Sequence, residues 1–197
     1  MKHDRPTSTL VMLAAASVLL GGCAKEPDAQ RSADGPLSDR KEQKQAAQKH
    51  AEPKPADTAA TVAPTLSAYE EIRATLAADD ISGATAQAQT LASAATTAEA
   101  DAPEALRGHL SNTAKAAEAL SGTPTDDANA VRKAFGEVSR SVVALIGTDP
   151  SLQESAHVFE CSMAQGYQKW VQRTETIENP YMGQNMLACG SKATWDG

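Results

Sequence analysis

Aromatic side chains are scarce in this chain: two Phe, two Trp and three Tyr among 197 residues. With so few rings, a core must rely on small aliphatic packing, and a base-stacking surface for single-stranded nucleic acid has almost nothing to be built from. Basic residues are also outnumbered, 18 Lys and Arg against 25 Asp and Glu, for a net charge of −7. No Lys/Arg cluster with interleaved aromatics occurs, which argues against a nucleic-acid partner. No apolar run is longer than Leu10 to Leu20, which is too short to span a bilayer as a stable anchor. Gly-x-Gly-x-x-Gly, the P-loop and an alternating strand/helix pattern are missing, so the usual nucleotide-binding folds are not indicated. Cys-x-x-Cys-His is missing too, which speaks against a covalently attached haem.

What is present begins behind that apolar run. Lys2 and Arg5 precede it, and Leu20-Gly21-Gly22-Cys23 follows it. Positive start, short apolar stretch and small residues before a cysteine occur in the order that a secretory signal requires. The segment resembles the lipobox signal peptide of a bacterial lipoprotein. That resemblance implies removal of residues 1–22, acylation of Cys23 and folding outside the cytoplasm, with the membrane as partner through the lipid anchor. Each buried methylene of an acyl chain contributes about 0.8 kcal/mol, so several chains on Cys23 would hold firmly. Ala24 stands where an aspartate resembles an inner-membrane retention signal, which points to the outer membrane and its periplasmic face. Loss of a segment carrying Lys2, Asp4 and Arg5 takes the charge from −7 to −8. Excess carboxylates of this kind keep a protein soluble and do not by themselves mark a cation site.

Residues 23–65 hold Pro27, Pro36, Pro53, Pro55 and Pro64 and no aromatic. Such a composition cannot bury enough apolar surface to offset chain ordering, and it reads as a disordered tether reaching roughly 35 Å from its anchor. Residues 66–197 suffice for one small domain. Leu66, Tyr69, Ile72 and Leu76 recur at helical spacing; Ala84, Ala88, Leu91 and Ala95 mark a second helix after Asp79-Asp80. A third runs from Pro103-Glu104 through Leu106, Leu110, Ala114, Ala117 and Leu120 to Gly122. A fourth carries Val131, Phe135, Val138, Val142 and Leu145 and closes at Gly147. These predict an all-α, up-down four-helix bundle with close, alanine-lined helix contacts. Beyond it, residues 155–195 collect both tryptophans, two tyrosines, three methionines and both remaining cysteines, an irregular appendage rich in Cys, Met and aromatic residues.

Cys161-Ser162-Met163-Ala164, Trp170, Asn179-Pro180-Tyr181-Met182-Gly183 and Met186-Leu187-Ala188-Cys189-Gly190 carry a second resemblance. With Leu76-Ala77-Ala78-Asp79-Asp80 and Arg132-Lys133-Ala134-Phe135, they resemble an uncharacterised family of periplasmic helical domains. That family, of unknown function, occurs alone or appended to the adaptor subunits of copper/silver efflux pumps. The chain departs from its pattern at Ser162, where the family has Pro, and at Met182, where it has Phe. The resemblance implies association with copper or silver handling and an efflux-system or other cell-envelope partner.

The chemistry of the appendage admits two readings. Thiolate and thioether are soft ligands suited to Cu(I) or Ag(I). Cys161 and Met163 are two apart and Met186 and Cys189 three apart, so folding one pair over the other would make a Cys2Met2 cage. Met182 and His157 are further candidates, His109 a more distant one, and Trp170 could cover an ion by a cation–π contact. In the other reading, Cys161 and Cys189 form a disulfide, as two free cysteines outside the cytoplasm commonly do. The methionines are then core filler and Trp170 an anchor against the bundle, and an exposed aromatic patch around Tyr167, Trp170 and Tyr181 would favour docking of a partner. No cofactor is required on either reading. Ser139 or Ser141 with His109 lack a nucleophile-elbow pattern, and no enzymatic activity is expected.

Overall fold

The computed structural model describes residues 55–195. The expected signal peptide, Cys23 and the expected tether up to residue 54 lie outside the described residues. Four helices come first: α1 (Pro55–Ala77), α2 (Ile81–Asp101), α3 (Glu104–Ser121) and α4 (Ala128–Thr148). Three short strands follow: β1 (His157–Glu160), β2 (Lys169–Gln172) and β3 (Ser191–Lys192). The expected helices α2 to α4 are found within a few residues of their predicted ends. The appendage is not irregular as expected: it forms a small antiparallel sheet in the order β2-β1-β3.

Local chemistry explains the helix ends. Asp80 caps α2, its carboxylate accepting from the Gly83 amide at 2.8 Å, and Asp127 caps α4 through the Ala130 amide at 3.0 Å. Pro103 precedes α3, where a missing N–H costs nothing. Asp79 takes the left-handed conformation, φ 66°, between α1 and α2. The Asp79-Asp80 pair is therefore a turn residue followed by a cap.

Helix α1 starts earlier than composition suggested. Thr58, Val62 and Thr65 are buried along it, so residues 55–65 belong to the folded part and not to the tether. Pro64 stands inside this helix, where it forgoes one ladder bond. The burial of its neighbours is what holds the turn in place.

Successive helices pack on one another, α1 on α2, α2 on α3 and α3 on α4. Helix α2 contributes Ala84, Ala88, Ala92 and Ala95 around Leu91, all buried, so its neighbours approach closely. Helix α4 supplies bulk: Val131, Phe135, Val138, Val142, Leu145 and Ile146. Strand β2 packs on α4, and α1 touches β2 and both 3₁₀ turns of the C-terminal segment. No described helix is long and apolar enough to cross a membrane.

The few aromatic rings are concentrated where the sheet meets the helices. Tyr69 stacks on Phe135 at 5.5 Å between centroids, and Phe135 meets Tyr181 at 5.9 Å. Tyr181 meets the edge of Trp170 at 5.9 Å, and Trp170 stacks on Phe159 at 5.7 Å. This continuous row runs from α1 and α4 through the long loop into the sheet. The Tyr69 hydroxyl, in contact with Ser139 at 2.9 Å, also accepts from the Val171 amide of β2 at 3.1 Å. Phe135→Ala, at the middle of the row, is expected to lower unfolding free energy by about 3–5 kcal/mol. Urea denaturation followed by circular dichroism checks the value; a loss below about 1 kcal/mol would mean that the row is not continuous packing.

Candidate functional site

The strand register sets the site. β1 pairs with β3 so that Glu160 faces Ser191, and with β2 so that Glu160 faces Lys169. Cys161 immediately follows β1, and its amide extends the ladder to the Gln168 carbonyl at 3.0 Å. Cys189 lies two residues before β3. The pairing thus draws the two cysteines together although they are far apart in sequence, and their Sγ atoms stand 3.0 Å apart. Cys161 is 2% exposed, whereas Cys189 is half-buried. Both line an open depression of about 460 Å³ with Glu160, Ser162, Gln168 and Ser191.

The two thiols differ electrostatically. Burial pushes the Cys161 thiol up, but hydrogen bonds from the Cys189 thiol, the Met163 amide, the Asn179 side chain and the Ala164 amide outweigh it, and the net direction is below the ordinary thiol value. Cys189 moves up, first because it holds its proton toward Cys161 and then through burial.

Asn179 is the fixed point beneath the pair. It is fully buried, and its Oδ1 accepts from the Tyr181 amide at 2.8 Å and the Met182 amide at 3.1 Å. Its Nδ2 donates to the Cys189 carbonyl at 2.6 Å. The Asn179 amide donates to the Leu187 carbonyl at 2.8 Å, and the Cys189 amide to the Met186 carbonyl at 2.9 Å. Asn-Pro-Tyr-Met-Gly is therefore a turn folded around one carboxamide. Gln172 plays the same part for the preceding loop. Its Oε1 accepts from the Trp170 indole at 2.9 Å and the Glu178 amide at 3.2 Å. Its Nε2 donates to the Thr176 carbonyl at 2.6 Å.

Two arginines tie this segment to the helices. Arg73, only 3% exposed, pairs with Glu70 and Glu178 and donates to the Glu178 carbonyl at 3.0 Å. Arg132 donates to the Leu76 carbonyl at 3.1 Å, to the Pro180 carbonyl and to Asp79. The second carboxylate oxygen of Asp79 accepts from the Gln184 amide at 3.0 Å. Gly183 sits in this clasp at φ 56°, and a Cβ there would come within 1.8 Å of Asp79 Oδ1. Gly190, at φ 151°, lets Trp170 approach, since a Cβ there would stand 2.8 Å from its ring.

The remaining candidates are dispersed. Met163 is 56% exposed and lines, with Met182, Tyr181 and Arg132, a separate cavity of about 410 Å³. Met186 is 38% exposed on the 3₁₀ turn Gly183–Met186. His157 begins β1 opposite Gln172, away from the cysteine end of the strand, and His109 contacts the Thr148 hydroxyl at 3.1 Å. No group of three or more His, Cys, Asp or Glu that could hold a metal ion occurs among the described residues. The exposed aromatic surface expected from Tyr167, Trp170 and Tyr181 is not formed. Trp170 and Tyr181 are buried in the aromatic row, and half-buried Tyr167 lies under the Arg140 guanidinium, 4.7 Å from its centroid.

Asn179, Gln172, Arg73, Arg132 and Asp79 were not singled out for these roles in the sequence. The one signal that points to the arginines is position: each adjoins a residue of an apolar stripe, Arg73 beside Ile72 and Arg132 beside Val131. Comparisons of the chain with family models, with curated proteins and with solved structures find no match.

Asn179→Ala strips two amides and a carbonyl of a buried partner, and a loss of about 2–4 kcal/mol follows. The expected sign is faster reaction of Cys161 with a thiol reagent while helical ellipticity is kept; unchanged reactivity would contradict the arrangement. Gly183→Ala is expected to shift tryptophan emission to the red, because the clasp at Asp79 must open. Emission identical to that of the parent chain would show that the clasp does not hold the segment.

Proposed function

We propose that this chain is a membrane-anchored periplasmic lipoprotein, held at Cys23 on the outer membrane, whose up-down helical bundle presents a soft-metal module for Cu(I) or Ag(I) linked to metal efflux or tolerance. The observation that carries the reading is the approach of the Cys161 and Cys189 sulfurs to 3.0 Å on one open depression. Two soft sulfurs on an open depression suit a monovalent soft cation better than a hard one. Cys189, half-buried in its turn, is the sulfur free to part from Cys161 and admit an ion. Met163 and Met186 are exposed and lie two and three residues from a cysteine, so an ion held by the cysteines would have to draw them in from outside the depression. The resemblances in the signal segment and in the tail supply the compartment and the efflux association.

A second reading has an observation of its own. Cys161 is buried with a sulfur in contact, and closing the loop to Cys189 would stabilise the fold by about 3–4 kcal/mol. On that reading the chain is a non-catalytic structural lipoprotein whose disulfide-stapled tail docks a cell-envelope partner.

Native mass spectrometry of the reduced chain with Cu(I) separates the two. The metal reading expects one copper retained, none on Cys161→Ser or Cys189→Ser, and about tenfold weaker retention, ~1.4 kcal/mol, when Met163 and Met186 are both leucine. Reduced protein that retains no copper would leave the stapled tail as the account.

A further inference from the structure

We propose that Cys161 and Cys189 form a reversible redox couple that exchanges two electrons with small-molecule thiols and disulfides, with Cys189 as the sulfur that meets the partner and Cys161 as the one that closes and opens the ring. The inference is independent of the metal reading and goes beyond a passive staple. The two sulfurs are unequally exposed: Cys161 shows 2% of its surface, while Cys189 is half-buried. Both line a depression of about 460 Å³, a size in the range of small-molecule sites. The 3.0 Å separation places Cys161 for attack on anything bonded to Cys189.

Starting from the dithiol, Cys189 loses its proton and attacks one sulfur of a small disulfide RS–SR. The S–S bond breaks, one RS⁻ departs with that proton, and Cys189 is left as a mixed disulfide. Cys161, as thiolate, attacks the Cys189 Sγ, and the second RS⁻ leaves and takes the Cys161 proton. The protein dithiol is oxidised by two electrons, and RS–SR becomes two RSH. In reverse, an incoming thiolate attacks Cys189 and Cys161 departs.

The test uses the full chain with Cys23→Ala, so that only Cys161 and Cys189 report, in a chelator-containing buffer. The chain is equilibrated with defined ratios of reduced and oxidised glutathione, quenched by alkylation and weighed. The expected result is a mixture of dithiol and a species two hydrogens lighter, reversible on changing the ratio, with no glutathione retained. Cys161→Ser should trap one glutathione on Cys189, and Cys189→Ser should take it up at least about tenfold more slowly, since sealed thiols are inert. Equal uptake by both variants would overturn the assignment of roles. A parent disulfide that glutathione reduces only in denaturant, or a dithiol that oxidised glutathione leaves unchanged, would overturn the couple itself. Because no metal is present, neither outcome bears on copper retention.

Discussion

The buried carboxamide of Asn179 is the constraint on which the C-terminal segment depends. A segment with three short strands and long connections has few ladder bonds of its own, and most of its backbone polar groups need partners elsewhere. Asn179 satisfies groups from Tyr181, Met182 and Cys189 at once, joining the start of a turn to its end. Gln172 does the same for the loop from Thr174 to Glu178. The position of Cys189 beside Cys161 follows from these bonds together with the β1–β3 register. Without the carboxamide, the sulfur pair has only two strand residues to locate it.

The helices supply what the segment lacks, a dry surface. Aromatic rings are few in this chain, yet five of them form the row from Tyr69 to Phe159. Concentrating them at one junction gives large buried area where alanine-rich helices give little. Arg73 and Arg132 add charge-assisted bonds across the same junction. A buried guanidinium is costly unless paired, and each here has carboxylate and carbonyl partners on both sides. The helical region thus acts as the platform that keeps a small sulfur-bearing sheet in one arrangement.

Sequence reasoning reached the helices because their signals are local. Asp80, Pro103, Gly122 and Asp127 stand at the ends, and the stripes of α2 to α4 match the buried residues. The start of α1 was hidden by Pro55 and Pro64, which read as linker although Val62 and Thr65 are buried beside the second of them. The sheet was hidden because four-residue and two-residue strands are too short to show a period. The approach of Cys161 to Cys189 was legible from their number, the wider set of ligands less so. Met163 and Met182 face a cavity other than the cysteine depression, a separation that depends on tertiary structure alone. Trp170 is buried as an anchor would be, while nothing local shows that Phe135 would enclose Tyr181 or that Gly190 would stand against the Trp170 ring.

Copper K-edge absorption on the reduced, Cu(I)-loaded full chain tests the central claim most directly, since it reads which atoms surround the ion. The account predicts a first shell made of sulfur alone, lost when Cys161 and Cys189 are both serine. A shell of nitrogen or oxygen, or a sulfur shell that survives the double substitution, would contradict it.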